Sequence, residues 1–390
     1  MLTFSTAGES HGQALLALIS GMPAGVPLDA AFVQRELWRR QQGYGRGGRM
    51  RIEHDTPEFL SGVRNGTTIG SPIAIQIANH DWKNWEQTLA VDAPAGEKAR
   101  PVASPRPGHA DLAGALKFNF KEARYVLERA SARETAARVA AGAMAKLLLR
   151  ELGIEVLSHV VALGAARLDP SSPASADALR ALAAREEILL HCLDAASEQQ
   201  MKAEVDQALR TGDTVGGVFE LRAFGLPPGL GTCANWNERL DGRIAQAIMS
   251  IQAVKAVELG EGMSVAAAPG SEAQDPIGYD RAARRFTRAG NHAGGLEGGM
   301  TNGEEIVVRG YLKPISTLRR PLASVSFETR EPVKAAYERS DVCVVPAAAV
   351  VGEAMLAFIL AQAVLEKFGG DSLLELRRNY NAYGEQVRAF

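Results

Sequence analysis

The longest apolar stretch of the sequence, residues 342–365, most constrains the fold, because it suits either a membrane span or the centre of a soluble core. Glu353 lies in the middle of the stretch, where an acidic group in a bilayer would be strongly unfavourable. From Met355 the large apolar residues recur at helical spacing until Gly369, a common helix stop. We therefore predict a buried core helix.

The composition agrees with a globular protein. Hydrophobic residues make up 46% of the 390 residues and charged residues 23%, which excludes wholesale disorder. With 43 Lys+Arg against 45 Asp+Glu, the net charge of −2 argues against a surface devoted to nucleic acid or anionic membrane. The three cysteines are far apart and form no CxxC pair, so we expect neither a disulfide framework nor a metal site. No basic region precedes an apolar run at the N-terminus, which predicts a cytoplasmic location.

Hydrophobic periodicity predicts both strands and helices. The predicted strands are Leu2–Ser5, Ile73–Ile77, Val215–Ala223, Glu305–Leu312 and Val342–Val345. The predicted helices are Asp29–Gln42 and Ala132–Leu152, the second begun by a capping box of Ser131 and Glu134. The two types do not alternate regularly, so the pattern favours an α+β fold. The Ala/Glu-rich segment 168–212 is interpreted as a peripheral helical excursion.

Two short motifs match well-known signatures in the wrong context. Residues 8–12, GESHG, fit the G-x-S-x-G nucleophile elbow, but here Ser10 follows one predicted strand rather than an established sheet. Residues 43–48, GYGRGG, fit G-x-G-x-x-G, but they follow a helix, whereas a dinucleotide fingerprint follows a strand. Neither motif is interpreted by its usual function, although a glycine-rich loop can still approach an anion closely.

Arginine is concentrated between residues 35 and 51, where six arginines accompany one acidic residue, Glu36. A lysine-rich run would indicate a solvated face, whereas guanidinium groups bind phosphate and carboxylate in a forked geometry. No series of aromatic residues accompanies the arginines, which disfavours nucleic acid. The cluster therefore predicts a small anionic ligand.

Four other segments place polar groups where anions or catalytic groups commonly lie. His109 stands in a rigid Pro-Gly turn, and Ser131 stands between arginines at a predicted helix N-terminus. Lys313–Thr317 follows a predicted strand and offers an ammonium group and two hydroxyls. Arg339–Asp341 precedes the predicted strand Val342–Val345. Each segment alone is moderate evidence of a site.

Taken together, these motifs resemble those of the chorismate synthase family, in order and nearly end to end. The matching segments are GESHG at 8–12, RRQQGYGRG at 39–47, RPGHAD at 106–111, SARET at 131–135, NHAGG at 291–295, KPIST at 313–317 and RSDVCVVPA at 339–347. The resemblance implies the conversion of 5-enolpyruvylshikimate 3-phosphate to chorismate and phosphate, the last step of the shikimate pathway. It also implies a β-α-β sandwich with helices between antiparallel sheets, in one domain spanning residues 1–390, and a homotetramer.

The resemblance further implies a cofactor and a set of site residues. The family uses reduced FMN (FMNH2) although the reaction has no net redox change. His11 would assist the leaving phosphate, His109 would protonate or neutralise the reduced flavin, and Asp341 would tune flavin N5, which accepts the hydrogen. Arg40 and Arg46 match positions assigned to phosphate-bearing ligands, including NADP in some members. The positions matching FMN contacts are Arg129, Ala130, Ser131, Gln252, Ala253, Gly298, Lys313, Pro314, Ile315, Ser316, Thr317 and Arg339.

Several alternatives stay open at the level of sequence. A serine hydrolase would use Ser10 as its nucleophile, and a flavin oxidoreductase would consume NADPH in proportion to product. A non-catalytic anion-binding protein would bind flavin and substrate without releasing phosphate. Within the family, NADPH serves as reductant in bifunctional members and a separate flavin reductase serves the others. The sequence has no large insertion of the bifunctional type.

Overall fold

The computed structural model describes residues 1–48, 52–92, 101–172, 174–338 and 341–390. The strands in these ranges are β1 (Thr3–Ala7), β2 (Ala14–Ser20), β3 (Pro57–Phe59), β4 (Val63–Arg64), β5 (Thr67–Thr68), β6 (Ile73–Ala78), β7 (Glu155–Leu163), β8 (Ala166–Arg167), β9 (Gly217–Phe224), β10 (Val254–Leu259), β11 (Ile277–Asp280), β12 (Arg285–Arg288), β13 (Leu296–Glu297), β14 (Met300–Thr301), β15 (Ile306–Leu312), β16 (Ala323–Val325) and β17 (Pro332–Lys334). The predicted strands near the N-terminus and at 73–77, 215–223 and 305–312 are confirmed as β1, β6, β9 and β15, with shifts of one to two residues at their ends.

The α-helices in the described ranges separate these strands into groups. They are α1 (Ala30–Gln41), α2 (Glu86–Leu89), α3 (Asp111–Phe118), α4 (Arg124–Ala130), α5 (Thr135–Arg150), α6 (Ala176–Ala183), α7 (Ala195–Thr211), α8 (Leu240–Met249), α9 (Gly262–Ala267), α10 (Gly270–Ala273), α11 (Val345–Phe368) and α12 (Leu373–Ala389). Helix α1 begins as predicted, because the side chain of Asp29 accepts a hydrogen bond from Phe32 N at 2.9 Å.

Two antiparallel sheets enclose the central helices. One sheet has the strand order β1-β2-β6-β3 and the other has the order β10-β15-β9-β7-β8. Helix α5 packs against β2 and β6, helix α11 packs against β7 and β9, and the two helices pack against each other with α1 beside them. The α+β sandwich of helices between antiparallel sheets is therefore confirmed.

Helix α11 lies at the centre of this sandwich. Its length and hydropathy would suit a membrane span, yet 83% of its most apolar window is buried inside the protein. Its buried residues belong to one continuous hydrophobic core that runs from Leu2 to Leu376. The prediction of a buried core helix is confirmed.

Two local predictions are wrong. Residues 342–344 form no strand, and helix α11 begins at Val345. Val342 instead bridges two segments, since its N–H donates to Gly45 O at 2.8 Å and its carbonyl accepts from Val215 N at 3.1 Å. The capping box at the start of α5 is also incomplete. Ser131 caps a short 3-10 turn, Ala132–Glu134, while the Glu134 carboxylate turns away to Thr6 and Arg138.

The segment 168–212 contains α6 and α7 joined by an irregular stretch. Met201 and Val205 of α7 are fully buried in the main core. The hydroxyl of Tyr44 donates to Asp206 at 2.6 Å, so this segment contacts the glycine-rich loop that follows α1.

Candidate active site

The loop between β1 and β2, residues 8–12, is fixed by its neighbours on both sides. Gly8 has φ of +100°, and a Cβ there would lie 2.2 Å from Ala14 O, so the turn requires glycine. Ser10 N donates to Glu128 O at 2.9 Å, and Asn79 Nδ2 donates to Gly12 O at 2.7 Å. The loop is thereby a rigid support for the side chains of Ser10 and His11.

His11 projects from this loop against helix α4. Its Nδ1 lies 3.0 Å from Glu128 Oε1 and 3.1 Å from Oε2, and its backbone N–H donates to Oε2 at 2.8 Å. The imidazole stacks on Trp85 with the ring centroids 4.1 Å apart. Burial alone would raise the pKa of Glu128, but the hydrogen bonds from His11 and the charge of Arg124 lower it. His11 is thus held against an ionised carboxylate.

A second cluster, formed by Arg40, Arg133 and Asp55, lies beside this loop. Arg40 Nη2 donates to Asp55 Oδ2 at 2.7 Å, and Arg133 Nη1 lies 2.6 Å from Asp55 Oδ1. Arg133 Nε donates to Oδ1 of Asn79, the residue that holds the loop of His11. Burial would raise the pKa of Asp55, but the two guanidinium groups lower it. One amide side chain therefore links the arginine cluster to the histidine.

Arg46 and Asp341 meet next to this cluster. Arg46 Nη1 lies 3.2 Å from Asp341 Oδ2, and Gly47 N donates to Asp341 Oδ1 at 2.6 Å. Gly45 has φ of +83°, and a Cβ there would lie 2.7 Å from Val205 Cγ1, so the loop bends tightly against α7. Two predicted site residues from distant parts of the sequence are thus brought together.

The rest of the arginine cluster is not part of this group. Arg35 donates to the carbonyls of Ala183 and Arg185 at the end of α6, and Arg39 turns into the core. Arg49 and Arg51 lie outside the described residues. Of the four described arginines, the structure places Arg40 and Arg46 at the candidate site.

His109 begins a third group at the N-terminus of α3. Its Nδ1 lies 2.5 Å from Asp111 Oδ1, and Arg106 Nη2 lies 3.1 Å from the same nitrogen. Arg106 also donates to Asp111 Oδ2 at 2.8 Å and to Thr317 Oγ1 at 2.9 Å. Burial would raise the pKa of Asp111, but His109 and Arg106 bring it well below its usual range. The RPGHAD and KPIST segments are therefore in direct contact.

The remaining predicted residues continue from this group along the edge of the site. Lys313 Nζ donates to Gly108 O, and Lys313 N donates to Ala253 O at 3.0 Å. Ile315 O accepts from Thr214 Oγ1 at 2.7 Å. Pro314 and Ser316 complete the same turn, which brings the 313–317 segment beside 252–253.

Arg129, Ala130 and Ser131 form the end of α4, next to β1. Arg129 donates to Gly8 O at 3.0 Å and to Thr6 Oγ1 at 2.8 Å. Ser131 Oγ accepts from Ser10 Oγ at 3.1 Å. Gln252 reaches the same place through Glu134, to which its Nε2 donates at 3.3 Å.

Two predicted residues remain. Gly298 lies in the turn between β13 and β14, where a Cβ would lie 4.0 Å from Cys233 Cβ. Arg339 lies outside the described residues.

Sequence reasoning missed the carboxylates that accompany the cations. Glu128, Asp55 and Asp111 are all buried and each lies against a predicted or cationic site group. Asp111 could have been found two residues after His109, and Glu128 directly before the Arg129–Ser131 motif. No sequence pattern indicated Asp55, because its pairing with Arg133 depends on the fold.

The serine hydrolase alternative does not fit this geometry. Ser10 is 3% exposed, and its hydroxyl donates to Ser131. The neighbouring His11 turns Nδ1 to Glu128, and a hydroxyl buried in this way lacks access to a substrate carbonyl.

Comparison with known proteins gives one consistent result. The family model described as chorismate synthase matches residues 2–365. The chorismate synthases of Koribacter versatilis and Acidobacterium capsulatum are 66% and 65% identical to this chain, and each alignment covers 100% of both proteins. A solved structure described as a crystal structure of chorismate synthase is 40% identical, with a TM-score of 0.80, over 100% of this chain and 99% of that one.

Proposed function

The chain belongs to the chorismate synthase family, and we propose that the residues around His11, Arg40 and His109 form its active site. Chorismate synthase eliminates phosphate from 5-enolpyruvylshikimate 3-phosphate to give chorismate. The observation that carries the placement is the link through Asn79, which joins the histidine loop to the arginine cluster. A proton donor beside a cationic pocket is the arrangement that a departing phosphate requires.

The arginine cluster is proposed to bind the phosphate-bearing end of the substrate. Burial lowers the pKa of Arg40, and although Asp55 raises it, the charges of Arg133 and Arg46 lower it further. A cation whose pKa lies below its usual value is incompletely neutralised by its neighbours. The neighbouring carboxylates also leave one donor of Arg40 unused, because its Nε is buried and makes no hydrogen bond within the described ranges. An anionic ligand would supply the missing charge.

His11 is proposed to assist the leaving phosphate. Its ring is partly exposed at 15%, whereas its partner Glu128 is 1% exposed, so the imidazole is the accessible member of the pair. Histidine is a common proton donor in catalysis, and a ring held at Nδ1 can give the proton of its other nitrogen to the leaving oxygen.

The residues matched to flavin contacts fit FMN. Gln252 Oε1 is buried and has no hydrogen-bond partner in the described part of the chain, so it can accept from a ligand. Arg129 and Lys313 supply cations and Ser316 and Thr317 supply hydroxyls, as a phosphate and a polyol chain require. When bound, reduced FMN supplies the electron-rich centre that accepts the hydrogen from carbon 6 without net redox change.

His109 and Asp341 are proposed to complete the site on its flavin side. His109 is 20% exposed, and its Nδ1 contacts Asp111 and Arg106. These contacts fix the ring at the N-terminus of α3. Asp341 holds Arg46 and the backbone of Gly47, so it can orient the arginine loop as well as face the cofactor.

We further infer the cellular setting from the family. The large hydrophobic core from Leu2 to Leu376 supports one domain over residues 1–390, with 168–212 as its outer helical part. A cytoplasmic homotetramer is the proposed form. Its FMN is proposed to be reduced by a separate flavin reductase, and NADPH at Arg40 and Arg46 is the alternative reductant.

The test is an anaerobic incubation with 5-enolpyruvylshikimate 3-phosphate and dithionite-reduced FMN. Phosphate release and chorismate absorbance should rise together, with no flavin consumed per turnover. NADPH in place of dithionite distinguishes intrinsic reduction of FMN from dependence on a reductase. Undiminished turnover in air with oxidised FMN and no reductant would contradict the proposed use of flavin.

Flavin binding is tested separately from activity by quenching of FMN fluorescence. Lys313→Ala and Gln252→Leu should each weaken binding of FMN. Lys367→Ala is a matched control, because Lys367 lies over Tyr383 at the far end of α11. An FMN affinity equal to that of wild type in all three variants would show that residues 252–253 and 313–317 are not part of the flavin site.

A further inference from the structure

One carboxylate holds two separate atoms of His11. Glu128 accepts from the backbone N–H of His11 at 2.8 Å, and both of its oxygens lie within 3.1 Å of Nδ1. Because the backbone and the ring are bound to the same buried group, the position of the loop and the rotation of the imidazole are fixed together.

The chemistry of Glu128 determines which nitrogen of the ring carries hydrogen. An ionised carboxylate only accepts hydrogen bonds, so Nδ1 must be the donor. The ring can then exchange a proton only at Nε2. The stack on Trp85 sets the plane of the ring, and the Nε1 of Trp85 donates in turn to Asp81 at 3.3 Å.

The charges around the pair favour this arrangement. Arg124 Nη1 lies 3.5 Å from Glu128 Oε1, and its Nη2 donates to Glu338 at 3.0 Å. Glu9, on the same loop, has its carboxylate beside Gly12. The hydrogen bonds from His11 and then the charge of Arg124 lower the pKa of Glu128 against its burial, so the carboxylate is an acceptor.

We propose that Glu128 is the positioning residue of His11. It fixes the imidazole with hydrogen on Nδ1, so that Nε2 presents the proton to the leaving phosphate of the substrate. The proposal rests on the proposed role of His11 as proton donor. In the step itself, the C–O bond to phosphate breaks with its electron pair on the phosphate oxygen, which takes the Nε2 proton. Carbon 6 loses its hydrogen as a proton, and the electron pair of that C–H bond becomes the additional ring double bond, so the elimination needs no oxidant or reductant overall. Glu128 remains ionised throughout.

The molecule contains a second pair of the same kind that serves as a control. His159 Nε2 lies 3.0 Å from Glu220 Oε1, and both side chains are buried in the second sheet between β7 and β9. Glu220 also binds Arg222 and Arg309 and has no contact with the candidate site residues in the described ranges. It offers an isosteric Glu→Gln change in a purely structural setting.

The decisive experiment measures kcat and KM of Glu128→Gln at saturating reduced FMN, together with the tautomer of His11 by 15N NMR. The amide cannot accept at both atoms of His11 and carries no charge, so kcat should fall roughly tenfold to hundredfold, within the range for loss of acid catalysis. The 15N signals of His11 should show a mixture of the two tautomers, because an amide can donate to Nδ1 as well as accept from it. The KM for substrate should change less than threefold.

The controls separate positioning from structure and from the role of His11. Glu128→Asp keeps a carboxylate that only accepts and should retain the Nδ1–H tautomer of His11, and Glu220→Gln should leave kcat and the His11 signals unchanged. His11→Asn and the double variant Glu128→Gln/His11→Asn should have similar kcat values, because the two groups act as a unit. Tautomer signals of His11 in 15N NMR supply a readout if a variant is inactive.

Two results would overturn the proposal. An impaired His11→Asn together with an unchanged His11 tautomer and unchanged kcat in Glu128→Gln would show that Glu128 is structural while the role of His11 stands. A fully active, folded His11→Asn would instead remove the proposed function of His11, and the role of Glu128 with it.

Discussion

Two consecutive arginines of helix α1 have opposite environments, although both are almost fully buried. Arg39 points into the core, where it binds Glu353 through both terminal nitrogens at 2.7 and 2.8 Å and Glu36 at 2.8 Å. Arg40 points to the candidate site, where Asp55 is shared with Arg133. The two side chains have different roles because they point in directions about 100° apart around the helix.

The two environments neutralise their arginines to different degrees. In the core, Arg39 and Lys146 face Glu36 and Glu353. Burial would lower the pKa of Arg39, but Glu353 and Glu36 raise it above its usual value. At the site, Arg40, Arg133 and Arg46 lie with Asp55, Glu53 and Asp341, yet burial and the neighbouring arginines lower the pKa of Arg40 despite Asp55. The carboxylates therefore compensate the burial of Arg39 and do not compensate that of Arg40, which an external anion would stabilise further.

The largest expected effect is on substrate affinity at the site. Arg40→Ala and Arg46→Ala should each weaken binding of 5-enolpyruvylshikimate 3-phosphate by roughly 3–5 kcal/mol, because a buried anionic group loses its partner. The measurement is calorimetry in the presence of FMN, with folding checked by circular dichroism. A folded variant that binds substrate within threefold of wild type would show that the arginine is only part of a charged surface.

The core cluster should respond in stability instead of affinity. Glu353→Gln removes the charge that Arg39, Lys146 and Ser158 share, so the free energy of unfolding should fall by about 3 kcal/mol while substrate affinity of the folded protein is unchanged. Urea unfolding at pH 7 measures the first quantity and calorimetry the second. Weaker substrate binding with unchanged stability would reverse the assignment of the two clusters.

The sequence was sufficient for the parts of this comparison that depend on local patterns. Hydrophobic periodicity predicted α1, and the apolar run predicted α11. The concentration of arginine predicted an anion site, and the ordered motifs identified the family. Nothing in the pair Arg39-Arg40 distinguishes the two residues, because Glu353 and Asp55 become their partners only after the helices pack.

The wrong predictions have the same origin. Val342 is apolar and β-branched, as a strand residue would be, but its backbone is used by Gly45 and Val215 from two other segments. Glu134 has the spacing of a capping box, but Thr6, Arg138 and Gln252 compete for its carboxylate. Tertiary partners overrode local preference at both positions.

The pH dependence of stability tests the core cluster separately, because His191 lies at the edge of that cluster. Its Nε2 is 3.4 Å from Arg39 and 3.3 Å from Ser158 Oγ, and burial together with Arg39 lowers its pKa to about 3. The unfolded chain binds this proton below pH 6.5 and the folded chain does not, so stability is lost as the pH falls from 6.5 towards 3. The loss between pH 7 and pH 5 should be about 2 kcal/mol.

His191→Gln isolates that contribution. The variant should lose about 2 kcal/mol less than wild type when urea unfolding is repeated at pH 5, since glutamine does not titrate. Parallel stability curves for the two proteins would mean that His191 is protonated in the folded state and that the core cluster has excess negative charge.

The smallest expected effect concerns the geometry of the arginine loop. Arg46→Lys keeps the charge near Asp341 but loses the two-pronged arrangement of N–H donors, so substrate affinity should fall by about 1.4 kcal/mol, or tenfold. A substrate affinity between those of wild type and Arg46→Ala would show that the charge and the forked geometry contribute separately. Arg150→Lys is the matched control, because Arg150 is half exposed on α5 and lies over Phe32, away from the site. Should Arg46→Lys bind as tightly as wild type, the site needs only a positive charge, and Arg40 with Arg133 must provide the forked contact to the phosphate.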